Sequence, residues 1–200
     1  MDFVSEVSEL EAAYGTPGEA SVVKVAHHLT PTYRKWIMAS RFCVVSTVGP
    51  EGVDGSPRGD DGPVVLELDE FTLAMPDWRG NNRMDSLRNI VRDPRIALMF
   101  MVPGSNNVVR VNGEAKVTFD DELCGRFSDA GRMPRSVIVV KIAEIYSQCA
   151  RAVMRADLWR GQIAGVELPS VGDMLAELKA GFDGETYDAD WGARAKNTMW

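Results

Sequence analysis

The residues best suited to chemistry fall in one stretch, Met75–Arg95, which reads MPDWRGNNRMDSLRNIVRDPR. A β-rich run ends there in a Gly-Asn-Asn turn, and a helical pattern follows with Arg83, Ser86 and Asn89 at i, i+3 and i+6, one expected helix face. A helix N-terminus offers free amide donors and the positive end of the helix dipole. A guanidinium and a hydroxyl added to it suit a phosphate monoester. The same spacing also describes a solvated helix face, and Asn-Asn in a turn is ordinary turn chemistry. In a second stretch, Ser56-Pro57-Arg58-Gly59-Asp60, Arg58 ends a strand and Gly59 frees the backbone beside it. Arg58 reads either as a second cation for the same anion or as a strand-end arginine paired with a neighbouring acid, Asp60 and Asp61 being candidates.

Side chains alone offer little other reactivity. His27 and His28 are the only histidines, and neighbours in sequence point in different directions, which makes a poor metal pair. No GxxxxGK[ST] loop and no GxGxxG following a strand is present. Cys43, Cys124 and Cys149 are widely spaced and odd in number, so neither a disulfide framework nor a CxxC knuckle is expected. An enzyme built this way takes its reactive atoms from a cofactor. With 22 Lys+Arg against 29 Asp+Glu, a net charge of -7 argues against a nucleic-acid partner, though not against a local basic cleft. The longest apolar runs are strand-sized, too short to span a bilayer. The acidic, amphipathic N-terminus does not read as a signal peptide, and the expectation is a reduced, cytosolic protein.

The elements that must position these residues follow from periodicity. Helices are expected over 3–14 and 30–40, the second with Thr30 as N-cap and Pro31 at the first helical position. From Arg41 the period becomes two. Phe42–Thr47 and Val53–Arg58 join across Gly49-Pro50-Glu51-Gly52, and Val64–Leu68 joins Phe71–Met75 across Asp69-Glu70. A helix over Arg83–Arg92 puts Met84, Leu87, Ile90 and Val91 on one face and stops at Asp93-Pro94. Ile96–Val102 is nearly continuous in apolar residues, the pattern of a strand buried on both faces. Val108–Phe119 alternates around Asn112-Gly113, where a bulge is expected; a short helix over Asp120–Phe127 and a last strand over Val137–Tyr146 follow. An amphipathic helix over Gly172–Ala180 leads into a polar terminus. Met75, Met84, Met99 and Met101 are expected on core faces, and Trp78 is expected to bury area rather than stack on a ligand. The whole reads as one mainly β domain, an antiparallel barrel with flanking helices: a helical arm over 1–40, the barrel over 41–160 and a helical tail over 161–200 packed on it.

SPRGD, PDWRGNNRMDSLRNIVRDPR and RVNGEAKV closely resemble the pyridoxamine 5′-phosphate oxidase-like FMN-binding split-barrel superfamily, and within it the branch described as FMN-dependent enzymes of that class. The resemblance continues through YSQCARAVMRADLW and PSVGDMLAEL, from about Phe42 onward. It implies a six-stranded split barrel that dimerises, with FMN in clefts at the interface between the two copies. Carried over, Arg58, Arg83 and Ser86 would be phosphate ligands, and Asn81, Asn82 and Asn89 would orient the ribityl chain or brace the turn. Ser56 would run alongside the isoalloxazine ring, while Arg155 and Trp159 would reach the flavin from the partner subunit. The oxidases of that superfamily carry a Ser-Arg-Lys-type segment entering the helix, and counting back from Asn89 puts the lysine position at Ser86, with Arg83 as a replacement charge. Their Trp/Arg-rich substrate segment is not matched by the tail DADWGARAKNTMW, so the resemblance implies FMN binding and not vitamin B6 oxidation.

Two functions fit. One is an FMN-dependent oxidoreductase acting on a small molecule, with the flavin as redox centre and no identifiable general acid or base. The other is a non-catalytic carrier or sensor of flavin, or of another cofactor such as haem, for which the two arm histidines are the poor supply of axial ligands.

Overall fold

A computed structural model describes residues 1–128, 131–161 and 167–198. The elements in chain order are α1 (Val7–Tyr14), α2 (Glu19–Val23), α3 (Pro31–Ile37), β1 (Phe42–Gly49), β2 (Gly52–Gly59), β3 (Leu66–Asp69) and β4 (Thr72–Asp77). They continue with α4 (Asp85–Arg92), β5 (Arg95–Met101), β6 (Val108–Thr118), α5 (Asp121–Gly125), β7 (Ser136–Gln148), α6 (Arg151–Ala156), α7 (Val171–Leu178), α8 (Gly184–Ala189) and α9 (Trp191–Thr198). The sheet has seven strands rather than the six expected, in the order β2-β1-β5-β6-β7-β4-β3, antiparallel throughout. The mainly β, split-barrel expectation holds. All seven strand-like runs of the sequence form strands, one more than the resemblance implied, and the short β3, expected from Val64, starts at Leu66 and pairs only with β4.

The period-two residues deliver the core. Cys43 and Val45 of β1, Ile96, Leu98 and Phe100 of β5, Val109 and Val111 of β6, and Ile138, Val140 and Ile145 of β7 are all buried in one cluster. β5 departs from expectation: only one of its faces is covered, and Met99, on the other, is 38% exposed. Directly opposite, Val44 pairs with Met99 and Phe42 with Met101, so the uncovered face carries an apolar stripe shared by two strands.

The expected irregularity at Asn112-Gly113 is present. Asn112 faces Glu144 while Gly113 faces Ile142, which leaves Ala143 of β7 as the extra residue of a bulge. A Cβ on Gly113 would sit against the main-chain carbonyl of Lys141, so glycine is needed there for close approach of two backbones. The arm then uses the bulge. β4 pairs with β7 only as far as Lys141, and beyond it Ala26 bridges Ile145 through two backbone hydrogen bonds of 2.9 and 2.7 Å. The His27 ring meets the Ala143 carbonyl at 2.7 Å, and Tyr33 Oη accepts from Ser147 N while donating to the Lys24 carbonyl. The His28 ring packs at a tilt of 53° against that of Phe71. The arm is thus a cover for a free strand edge.

At the C-terminus α6 and two further helices, α8 and α9, form where no helix was read. Gly172 and Gly184 let α7 and α8 touch backbone to backbone, and Asp188 accepts from Gly172 N at 2.9 Å. Substituting Gly113 with alanine forces either the Lys141 carbonyl or the bulge to move. The expected cost is about 1–3 kcal/mol, read as a lower urea midpoint at unchanged slope.

Candidate functional site

β2 and β4 approach one another without pairing, and the space between them opens into a cleft of about 720 Å³. Its walls are Asp54–Gly59 of β2, the β4 end Pro76-Asp77, the turn Trp78–Met84, the first residues of α4, and Arg135-Ser136 at the start of β7. On β2 the residues Asp54, Ser56 and Arg58 alternate with more exposed ones and share one face. The gap is bridged by side chains. Arg58 donates through Nη1 to Asp77 at 2.5 Å, each side chain being 19% exposed, and Trp78 Nε1 donates to Asp60 at 2.9 Å. Arg58 Nε is buried with no hydrogen-bond partner among the described residues.

The turn Gly80–Met84 has a conformation its sequence did not announce. Asn82 and Met84 both lie in the left-handed region at φ 60°, and Met84 caps α4 without a side-chain hydrogen bond. For asparagine that region is tolerable; for methionine it costs about 1–2 kcal/mol. Arg83 therefore stands two residues before α4 rather than on one helix face with Ser86 and Asn89, and Met84 turns outward, as does Val91. Asn81 Oδ1 accepts from Arg83 N at 3.1 Å, and Asn82 Oδ1 accepts from Arg135 Nη1 at 3.0 Å, so the two asparagines shape the turn and hold a cation beside it.

The cleft brings together Ser56, Arg58, Asn81, Asn82, Arg83 and Ser86. Three of them are engaged by carboxylates of the chain itself: Arg58 by Asp77, Arg83 by Asp85 at 2.8 Å, and buried Ser86, which donates its hydroxyl to Asp54 at 2.5 Å. Asn89 lies instead in a smaller neighbouring hollow shared with Arg83, where its amide donates to Thr47 Oγ1 at 3.2 Å. A Cβ on Gly49 would strike the Asn89 side chain, so α4 seats on β1 through this contact. Arg155 and Trp159 do not line the cleft of their own chain; Trp159 donates to the Ser105 carbonyl at 2.8 Å.

Asp54, Asp77, Arg79 and Arg135 are cleft residues that the sequence reading passed over. Asp54 had a signal, since it precedes Ser56 and Arg58 at two-residue spacing on a strand. Arg135 had none, because only the pairing of β7 with β4 brings it to the turn. Among the described residues no group of three or more His, Cys, Asp or Glu could hold a metal ion.

The family model described as pyridoxamine 5′-phosphate oxidase matches residues 29–149, more than half of the chain. The chain belongs to that family. The matched span runs from Leu29, where the arm meets the barrel, to the end of β7, and so contains every wall of the cleft. No curated protein matches the chain. Among solved structures, a variant of HupZ from Group A Streptococcus is similar at 15% identity and a TM-score of 0.50, over 60% of this chain and 99% of that one. General Stress Protein 26 from Bacillus anthracis str. Sterne is similar at 17% and 0.44, over 57% and 88%. An FMN-binding protein from Syntrophomonas wolfei subsp. wolfei is similar at 15% and 0.43, over 58% and 88%. At such identities the HupZ likeness bears on the family's fold alone.

The thiols are separated sharply by their surroundings. Burial pushes Cys43 up to about 12 against smaller opposing effects from a Met99 backbone hydrogen bond and the Arg58 charge. Cys124 is raised too, mainly by burial and secondarily by Asp121 and Asp120, whereas Cys149 is exposed. Since a thiolate is the reactive form and a reagent must reach it, burial withholds Cys43 and Cys124 from a thiol reagent at pH 8. An aromatic disulfide reagent is expected to titrate a single thiol in the folded chain at that pH and all three in denaturant; Cys149→Ser should abolish the first signal and leave two in the second.

Proposed function

We propose that this protein binds FMN in the cleft between β2 and β4 and serves as an FMN-dependent oxidoreductase for a small molecule. The observation that carries the reading is a ligand-sized cleft lined by Arg58, Arg79, Arg83 and Arg135 in a chain of net charge -7, with the buried Nε of Arg58 lacking a partner. An orphaned buried donor costs about 1–3 kcal/mol, and an anion oxygen would satisfy it. The donor set therefore fits a phosphate monoester.

Arg58 and Arg83 are assigned to the phosphate, with Arg79 and Arg135 lining the same cleft. Asn81 and Asn82 brace the turn that holds them. Ser86 is assigned differently from the expectation. A dianion accepting its hydroxyl would lie about 5 Å from Asp54, a repulsion of roughly 7 kcal/mol at an effective dielectric near 20. Its hydroxyl is also already given to that carboxylate. Ser56 stays beside the ring, and Asn89 seats α4. The flavin, when bound, would supply the hydride and electron chemistry that no side chain here offers. The chain's own part is to bind it, orient it, and set charge around it.

The homodimer belongs to the same proposal. The outer face of β1 and β5, with Phe42, Val44, Met99 and Met101, is the apolar surface a second copy would cover, which accounts for a β5 sequence written for burial on both sides. Arg155 and Trp159 are assigned to the second copy's cleft. Unpaired thiols suit a reduced, cytosolic setting, and among the described residues no helix is long and apolar enough to cross a membrane.

Purified protein is expected to be yellow, releasing FMN on denaturation. Arg83→Ala should weaken FMN by about tenfold or more while leaving the dimer intact, and wild-type affinity in that variant would remove the phosphate assignment. Anaerobic bleaching by a reduced nicotinamide, faster than with free FMN, is the expected sign of turnover; its absence would mark a carrier. Met99→Glu is expected to shift the elution mass in size-exclusion chromatography with light scattering from dimer to monomer, and a dimer unchanged at micromolar protein would put the interface elsewhere.

A further inference from the structure

We propose that Asp54, oriented by Ser86, is the residue that reads hydroxyl groups on the ligand's chain, so that the cleft selects a polyol attached to the ring and not merely an anion. The inference rests on the flavin reading above and names what the carboxylate of Asp54 in the cleft wall is for. Along one face of β2 the order is carboxylate, hydroxyl, guanidinium: Asp54, Ser56, Arg58. The carboxylate lines the cleft and spends one oxygen on Ser86, whose side chain is buried in the first turn of α4. Its other oxygen has no hydrogen-bond partner among the described residues.

A carboxylate is acceptor-only. It can take hydrogen bonds from alcohol groups and can take none from an ionised phosphate, which it repels. With its proton committed to Asp54, Ser86 Oγ keeps lone pairs for a second alcohol. Both atoms thus present acceptors to a group rich in O–H donors, and a ribityl-type chain is such a group. Arg58 stands further along the same face of β2, and the arginines of the turn line the same cleft, Arg83 also sharing the smaller hollow with Asp54. The pair also keeps a negative charge beside the uncapped N-terminus of α4, so the acid is held in place without a ligand.

The test titrates the cofactor-stripped full chain with three probes by flavin fluorescence: FMN, riboflavin, which has the polyol without the phosphate, and lumiflavin, which has neither. Asp54→Asn, of equal size, is expected to weaken FMN and riboflavin by about tenfold each, the loss of charge-assisted hydrogen bonds, and to leave lumiflavin unchanged. Ser86→Ala should give the same pattern at smaller amplitude and guards against a folding defect in the first variant. Equal weakening of all three probes would show a general disturbance and overturn the inference. FMN bound more tightly by Asp54→Asn, with riboflavin unchanged, would overturn it also, by showing that the carboxylate only opposes phosphate. If wild-type chain binds none of the three, the flavin reading falls and takes this inference with it; if wild type binds and Asp54→Asn matches it, this inference alone falls.

Discussion

The cleft exists because β2 and β4 are tied by an ion pair instead of a hydrogen-bond ladder. Arg58 and Asp77 are both largely buried, and they meet at the place where the barrel is split. Such a pair gains little over an apolar contact, because desolvation of two charges offsets most of their attraction. Its value here is geometric: it fixes the width of the gap while keeping polar groups on its walls. Losing either partner would strand the other charge, typically a matter of about 3–5 kcal/mol, so the two residues stand or fall together. The neighbouring Trp78–Asp60 bond repeats the arrangement one step further out.

The electrostatics of the walls follow from that choice. A chain with an excess of acids places four arginines around one opening, yet Arg58 is met by a carboxylate from across the gap and Arg83 by one beside it in sequence. The cleft is therefore nearly self-neutral before any ligand enters. An incoming anion gains the difference between itself and a resident carboxylate, not the full attraction of a guanidinium. Arg58 escapes this limit in part, because its Nε is unmet while Nη1 is taken. Affinity for an anion then depends on donors left over once the internal pairs are made, and selectivity depends on what the acids accept.

Most of the barrel was legible because period-two burial writes itself directly into residue type, as in Cys43-Val44-Val45 or Ile138-Val139-Val140. The bulge at Asn112-Gly113 was legible for a related reason: only glycine tolerates the Lys141 backbone so close. Arg83 was misplaced because the helical pattern runs unbroken through RMDSLRNIVR, while the start of α4 is set by left-handed Asn82 and Met84, which periodicity does not record. The same shift explains why Met84 and Val91 face outward. β3 was legible as the first strand of a hairpin, but it starts at Leu66 and not at Val64, because Val64 and Val65, the most strand-like residues of that run, are buried just ahead of it. Asp54 and Asp77 were missed for a different reason. An acid reads as surface until a buried partner from elsewhere in the chain is known, and Ser86 and Arg58 lie 32 and 19 residues away.

Two of the free strand edges of this sheet are handled in opposite ways, and the difference is what makes one of them a site. Beyond Lys141, β7 outruns β4, and the arm closes that edge with Ala26, His27 and Tyr33, each matched to a backbone group that the bulge or the missing strand leaves open. The edge of β2 beside the turn receives no such cover, only charged side chains. A backbone edge left to water invites another strand. Arg58 and Asp54 discourage one, since a pairing strand would have to bury both charges without their present partners. What the arrangement leaves admissible is a small polar ligand that brings its own anion and its own donors.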